Sequence, residues 1–154
     1  MSVEGAAKRI SDESKKALEM AILAVFPSLV KYLREAVANR LADDDKIVEY
    51  MVVHGVEDPS PDDFIDAAEA VYGDVEIDFD ELYKEIPKPF RVAVDGLIAF
   101  AKKVLPAEKL EKLTYENVLE YAKKKSIEDV EKFMEKHPKL SRKIIEWLRK
   151  RVLE

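Results

Sequence analysis

Helix punctuation repeated along the chain constrains it more than any other feature. Ser60-Pro61-Asp62-Asp63 is the clearest start: serine as N-cap, proline at the first helical position where its missing N–H leaves no bond unmade, and acids against the positive end of the helix dipole. Asp43-Asp44-Asp45 opens another helix. Gly55 and Gly73 close the helices begun by these two signals, because glycine takes the left-handed conformation past a helix end at no steric cost. Pro106, Thr114 and Ser126 open three short helices, with Ser126 and Asp129 resembling a capping box that has Asp in place of Glu. Pro138 or Ser141 opens the last helix, which carries Leu140, Ile144, Leu148 and Val152 on one side with Ile145 and Trp147 beside them. These signals predict an all-α fold, a compact bundle of seven or eight short-to-medium helices.

Proline and glycine also set the expected boundaries. A first helix over residues 3–25 places Val3, Ala7, Ile10, Ala17, Ala21 and Val25 near one face, and Pro27 forces a break at Phe26 with a restart at Pro27. The second helix runs to about Leu41. A helix from about Phe90 to Leu105 is so apolar (Val92, Val94, Leu97, Ile98, Phe100, Val104) that it is expected in the middle of the fold, with Gly96 marking close helix packing. Pro87-Lys88-Pro89 is the stiffest tripeptide, so a single domain spanning 1–154 has its sub-lobe boundary at 87–89.

One passage breaks the helical period. Asp74 to Asp80 alternates acid and apolar residues, the pattern of a half-buried strand, yet no partner strand is evident. The segment therefore predicts either an extended connector at about 74–79, packed by Val75, Ile77 and Phe79, or pairing with a second copy in a homodimer. Asp78 or Asp80 caps the short helix that follows.

Composition matters chiefly for what it excludes. The 154 residues include no Cys, no Gln, two Asn and one Thr against 19 Glu and 19 Lys, the signature of a thermophile, archaeal-like protein. Without cysteine there is no disulfide, thiolate nucleophile or Cys-bearing zinc site, and a cytoplasmic location fits. The most apolar stretch, Ala17 to Val30, is too short to cross a bilayer and contains Glu19 and Pro27, so no membrane partner is expected. Two histidines and four scattered glycines assemble no nucleophile–base pair and no phosphate loop. No catalytic residue, metal ligand or cofactor is assigned, and the chain reads as uncertain but leaning away from an enzyme.

Charge is divided unevenly. Residues 1–42 are net +2, residues 43–85 net −14 and residues 86–154 net +6. The acids are accounted for by solvated helix faces and ion pairs with the basic third, or by a face that docks a basic protein partner. The second reading makes the chain an interaction or scaffold module, with Asp58, Asp62, Asp63, Asp66 and Glu69 as the docking residues. The alternative is a nucleic-acid-binding protein using the basic last helix through Lys139, Arg142, Lys143, Arg149, Lys150 and Arg151. A helix-turn-helix at Tyr115 to Lys136 fails on its two-residue turn and acidic reader. Metal chemistry ranks lower still. Asp74, Glu76, Asp78, Asp80 and Glu85 match calcium-loop spacing, but Phe79 stands where that loop needs glycine. Asp62, Asp66 and Glu69 share a helix face that Asp58 or His54 would have to complete, and solvated carboxylates are the simpler account.

Overall fold

A computed structural model describes residues 11–154, which form helices and short connections, with no strand among the described residues. The helices are α1 (Asp12–Leu23), α2 (Val25–Leu41), α3 (Asp45–Val53), α4 (Pro61–Tyr72), α5 (Phe79–Tyr83), α6 (Lys88–Val104), α7 (Ala107–Leu110), α8 (Tyr115–Lys124), α9 (Glu128–Lys136) and α10 (Pro138–Leu153). The fold is all-α. The expected seven or eight helices were too few, although the short α5 and α7 and a break between α1 and α2 were each expected; the break falls at Ala24.

The described residues pack as two compact units. One is the continuous stretch Leu29–Lys88, and the other joins the described part of Met1–Ser28 to Pro89–Glu154. In the continuous unit α3 packs against α4, burying Ile47 and Met51 of the first and Ile65, Ala67 and Ala68 of the second. In the discontinuous unit α10 packs on α7, α8 and α9, and α1 on α7 and α8. The stripe expected on α10 is its buried side: Leu140, Ile144, Ile145, Leu148 and Val152 all have at most 3% of their surface exposed. Burial of each such side chain stabilises by about 1.5–3 kcal/mol relative to leaving it in water.

Local caps decide the boundaries. Ser11 is extended (φ −65°, ψ 159°) and its Oγ accepts the Ser14 N–H at 3.1 Å, so α1 starts at Asp12. The expected positions Val3, Ala7 and Ile10 lie outside the described residues. Ala17 is exposed and Ala21 half-buried, while the expected Val25 is buried together with Leu18 and Ile22. Pro27 does not restart a helix. The break falls at Ala24 and Pro27 stands third in α2, within the first turn, where the ring removes a donor that has no intrahelical acceptor.

Two further expectations are corrected. Helix α6 is not central: only Val94, Ile98 and Ala101 are buried, while Val92 and Phe100 are 60% and 50% exposed. A methyl group added at Gly96 would meet nothing within 4 Å, so this glycine marks no close packing. Apolar content alone misled there, because the residues are spread round the helix. Ser126 is not an N-cap either. Ile127 caps α9 without a side-chain bond, and Ser126 takes a left-handed conformation (φ 56°) just beyond α8.

The passage at 74–78 is a connector, as one of its two readings required, but it is shorter than the expected 74–79: Phe79 is the first residue of α5 and is half-buried. Val75 is buried, Ile77 is half-buried, and Asp78 caps α5 by accepting the N–H groups of Asp80 and Glu81.

Candidate functional site

The acidic unit holds a cleft of about 410 Å³. Its apolar side comes from Leu41 at the end of α2, Ile47 of α3, Ala68 of α4 and Val75 of the connector. Asp44, Tyr72, Asp74 and Glu76 supply the polar side. Each is there for a local reason. Asp44 is the N-cap of α3, its Oδ1 accepting the N–H groups of Lys46 at 2.9 Å and Ile47 at 3.4 Å. Tyr72 is the last residue of α4, after which Gly73 turns left-handed (φ 79°) and delivers Asp74 and Glu76 into the connector. The Asp74 carboxylate accepts the Val75 N–H at 2.8 Å, which fixes the chain where it leaves the helix.

One hydrogen bond ties the two helices at the cleft. The Tyr72 hydroxyl donates to Asp44 Oδ2 at 2.8 Å. That bond first, and the backbone N–H groups of Ile47 and Lys46 after it, hold the Asp44 carboxyl below the usual aspartate range. The same bond pushes the Tyr72 phenol up. Asp44 is thus anionic and Tyr72 neutral across the ordinary pH range. Asp44, Asp74 and Glu76 do not come together at metal-ligand spacing among the described residues, nor do the acids at 74, 76, 78, 80 and 85 of the calcium-like window.

The acids nominated from the sequence lie elsewhere in the same unit. Asp58 is exposed in the loop before α4, in a left-handed conformation (φ 45°). Asp63 completes a capping box: its Oδ2 accepts the Ser60 N–H at 2.8 Å, and Ser60 Oγ accepts the Asp63 N–H at 3.4 Å. Asp62, Asp63, Asp66 and Glu69 are all half-buried, and Asp66 and Glu69 each hold an interaction within the chain. His54 does not complete an acid cluster. It is exposed, stacks on Tyr50 with ring centroids 4.0 Å apart, and its Nδ1 bonds the Tyr50 carbonyl at 2.8 Å. Glu35, Asp43, Asp45, Glu49, Glu57 and Glu76 are exposed carboxylates without a partner among the described residues.

The basic helix is more committed than its sequence suggests. Arg142 Nη1 donates to Glu116 at 2.9 Å and its guanidinium lies 4.2 Å from the centre of the Tyr115 ring. A backbone N–H and then Arg142 hold the Glu116 carboxyl below its ordinary range. Arg151 donates to Asp95 at 3.0 Å and lies 5.0 Å from the Trp147 ring centre, and Lys143 also has an in-chain interaction. Arg149 is half-buried, leaving Lys139 and Lys150 exposed without a partner among the described residues. His137 stands at the N-cap position of α10 but makes no side-chain cap bond. Its ring is buried with its centroid 5.3 Å from that of Phe133.

The sequence places a helix start in the triplet Asp43-Asp44-Asp45 and a connector at Asp74 and Glu76, but does not show that Asp44, Asp74 and Glu76 share a cleft with Tyr72. The signal available was an aromatic residue one position before a helix-ending glycine, followed by alternating acids. Among the described residues, no helix is long and apolar enough to cross a membrane. No protein-family model, curated protein or solved structure matches this chain.

Proposed function

We propose that this chain is a protein-interaction module that docks a basic partner through its acidic unit, Leu29–Lys88. The observation that carries the reading is the cleft at Asp44, Tyr72, Asp74 and Glu76, where an apolar floor meets an anionic rim. That combination suits an arginine side chain, whose methylene stem packs on apolar surface while its guanidinium meets carboxylates and stacks on an aromatic face. The surrounding unit adds a long-range field: it holds six basic against seventeen acidic side chains, net −11, which speeds the encounter with a basic partner. The docking residues then shift from Asp62, Asp63, Asp66 and Glu69 to the cleft and the exposed acids, with Asp58 retained.

A short arginine-containing peptide is the direct probe, with citrulline in place of arginine as the uncharged isostere. Amide and methyl NMR shifts of Ile47, Tyr72 and Val75 are expected to move with the arginine peptide, weakly or not at all with citrulline, and less after Glu76→Lys. Equal responses to the two peptides, or none in this cleft, overturns the reading. Substituting Asp63 is a poor test, because loss of its capping box perturbs α4 itself. The nucleic-acid alternative draws on Lys139 and Lys150 alone among the nominated residues that are both exposed and unpartnered. A mobility shift at low salt that vanishes with Lys139→Ala and Lys150→Ala would favour it.

A further inference from the structure

The discontinuous unit carries a second cleft, of about 490 Å³, which plays no part in docking a basic partner. Its apolar wall is built by Met20 and Leu23 of α1, Leu113 from the connection between α7 and α8, and Tyr121 of α8. Lys16, Lys109, Lys112 and Lys124 stand over it against Glu19 and Glu120, an excess of two positive charges. Opposite in sign to the acidic cleft, this one cannot recruit the same chemistry.

The state of these charges is informative. Glu19 is the least exposed of them, 19% by side chain, and it is shared: Lys109 Nζ lies 3.7 Å and Lys112 Nζ 3.9 Å from the same Oε1. Both separations exceed a good charge-assisted hydrogen bond of about 2.7–2.9 Å, so neither ammonium is fully satisfied. One carboxylate between two ammonium groups leaves one positive charge over. Lys16 and Lys124 are exposed and have no partner among the described residues. Asn117 is spent on structure, its Nδ2 donating to the Lys112 carbonyl at 2.8 Å, which ties α8 to the turn bearing that lysine.

From this we infer that the cleft at Met20, Leu23, Leu113 and Tyr121 binds a single-chain amphiphile with an anionic head, the chain on the apolar wall and the head among Lys109, Lys112 and their neighbours. The volume falls within the roughly 300–1,000 Å³ of small-molecule sites, and an apolar lining with a few convergent polar groups is their usual make-up. A compact hydrophilic anion would leave the wall unused. A neutral alkyl chain would leave the surplus charge unanswered. Only a ligand with both parts uses both features.

The test is an NMR titration of the full chain with dodecanoate below its micelle concentration, alongside acetate and a neutral twelve-carbon alcohol. Shifts are expected at Met20, Leu23, Leu113 and Tyr121 with dodecanoate, and binding at least tenfold weaker for either control. Each methylene removed from the chain is expected to weaken binding by up to about fourfold. Two variants at exposed or rim positions give opposite signs: Lys109→Gln with Lys112→Gln weakens dodecanoate binding several-fold, whereas Glu19→Gln releases both lysines and tightens it. Unchanged resonances at the wall, equal binding of the alcohol, or the same response from both variants overturns the inference.

Discussion

Ser126 and Gly55 solve the same problem with different residues. In each case two backbone bonds close the helix: Ser126 N–H to the Lys123 carbonyl with Ile127 N–H to Ala122, and Gly55 N–H to the Val52 carbonyl with Val56 N–H to Met51. This is the Schellman arrangement, and its left-handed position costs a serine what it does not cost a glycine. Ser126→Gly is therefore expected to stabilise the protein by about 0.5–1 kcal/mol, read as a raised midpoint in urea unfolding. A lowered midpoint would show that the Ser126 side chain contributes more than its backbone strain. Misreading Ser126 from the sequence has a simple cause. Serine is a strong N-cap signal, and here only three residues separate the end of one helix from the start of the next, so the same letter fits both jobs.

At the scale of elements, caps were legible and partnerships were not. Asp44, Ser60, Asp78 and Thr114 act within three residues of themselves, and each caps the helix expected of it. The bond from Tyr72 to Asp44 spans 28 residues, and nothing local announces it. That is why the acidic cleft could not be drawn from the sequence although most of its residues had been singled out. The bond has a pH signature. A carboxyl held below its ordinary value contributes stability that is fully present above about pH 4, the unfolded aspartate range, and is lost as pH falls through the folded value. Asp44→Asn is expected to lower the urea midpoint at pH 7, with the gap to the parent narrowing as pH falls below the ordinary aspartate range. Tyr72→Phe should reproduce part of that loss, and the double variant less than the sum of both, since the two residues share one interaction. A gap that persists undiminished in acid would separate the capping role of Asp44 from its charge.

Over the whole molecule the modest net charge of −6 is a residue of two unlike populations, −11 on Leu29–Lys88 and +5 on the rest of the chain. The uneven division was legible from composition along the chain. Which acids remain exposed was not, since it depends on caps and contacts such as those of Asp63, Asp66 and Glu69. Repulsion within the acidic unit is weakened by salt, whereas exposed ion pairs such as Arg40–Glu85 contribute only about 0–1 kcal/mol each and lose little. Raising sodium chloride from about 20 to 300 mM should accordingly raise the thermal midpoint. A fall would mean that attraction between opposite charges outweighs repulsion among the acids.

The order in which the two units can be completed follows from how the chain is divided between them. The acidic stretch is continuous and ends at Lys88, but its neighbour needs Pro89–Glu154 and stays half-made until those residues are translated. At about 5–20 residues per second that interval lasts roughly 3–13 seconds. When the chain has been made as far as Lys88 it is net −11, because sixteen of its 26 lysines and arginines lie beyond that residue. Any basic surface that reaches the nascent chain then meets a stronger acidic field than the full chain presents.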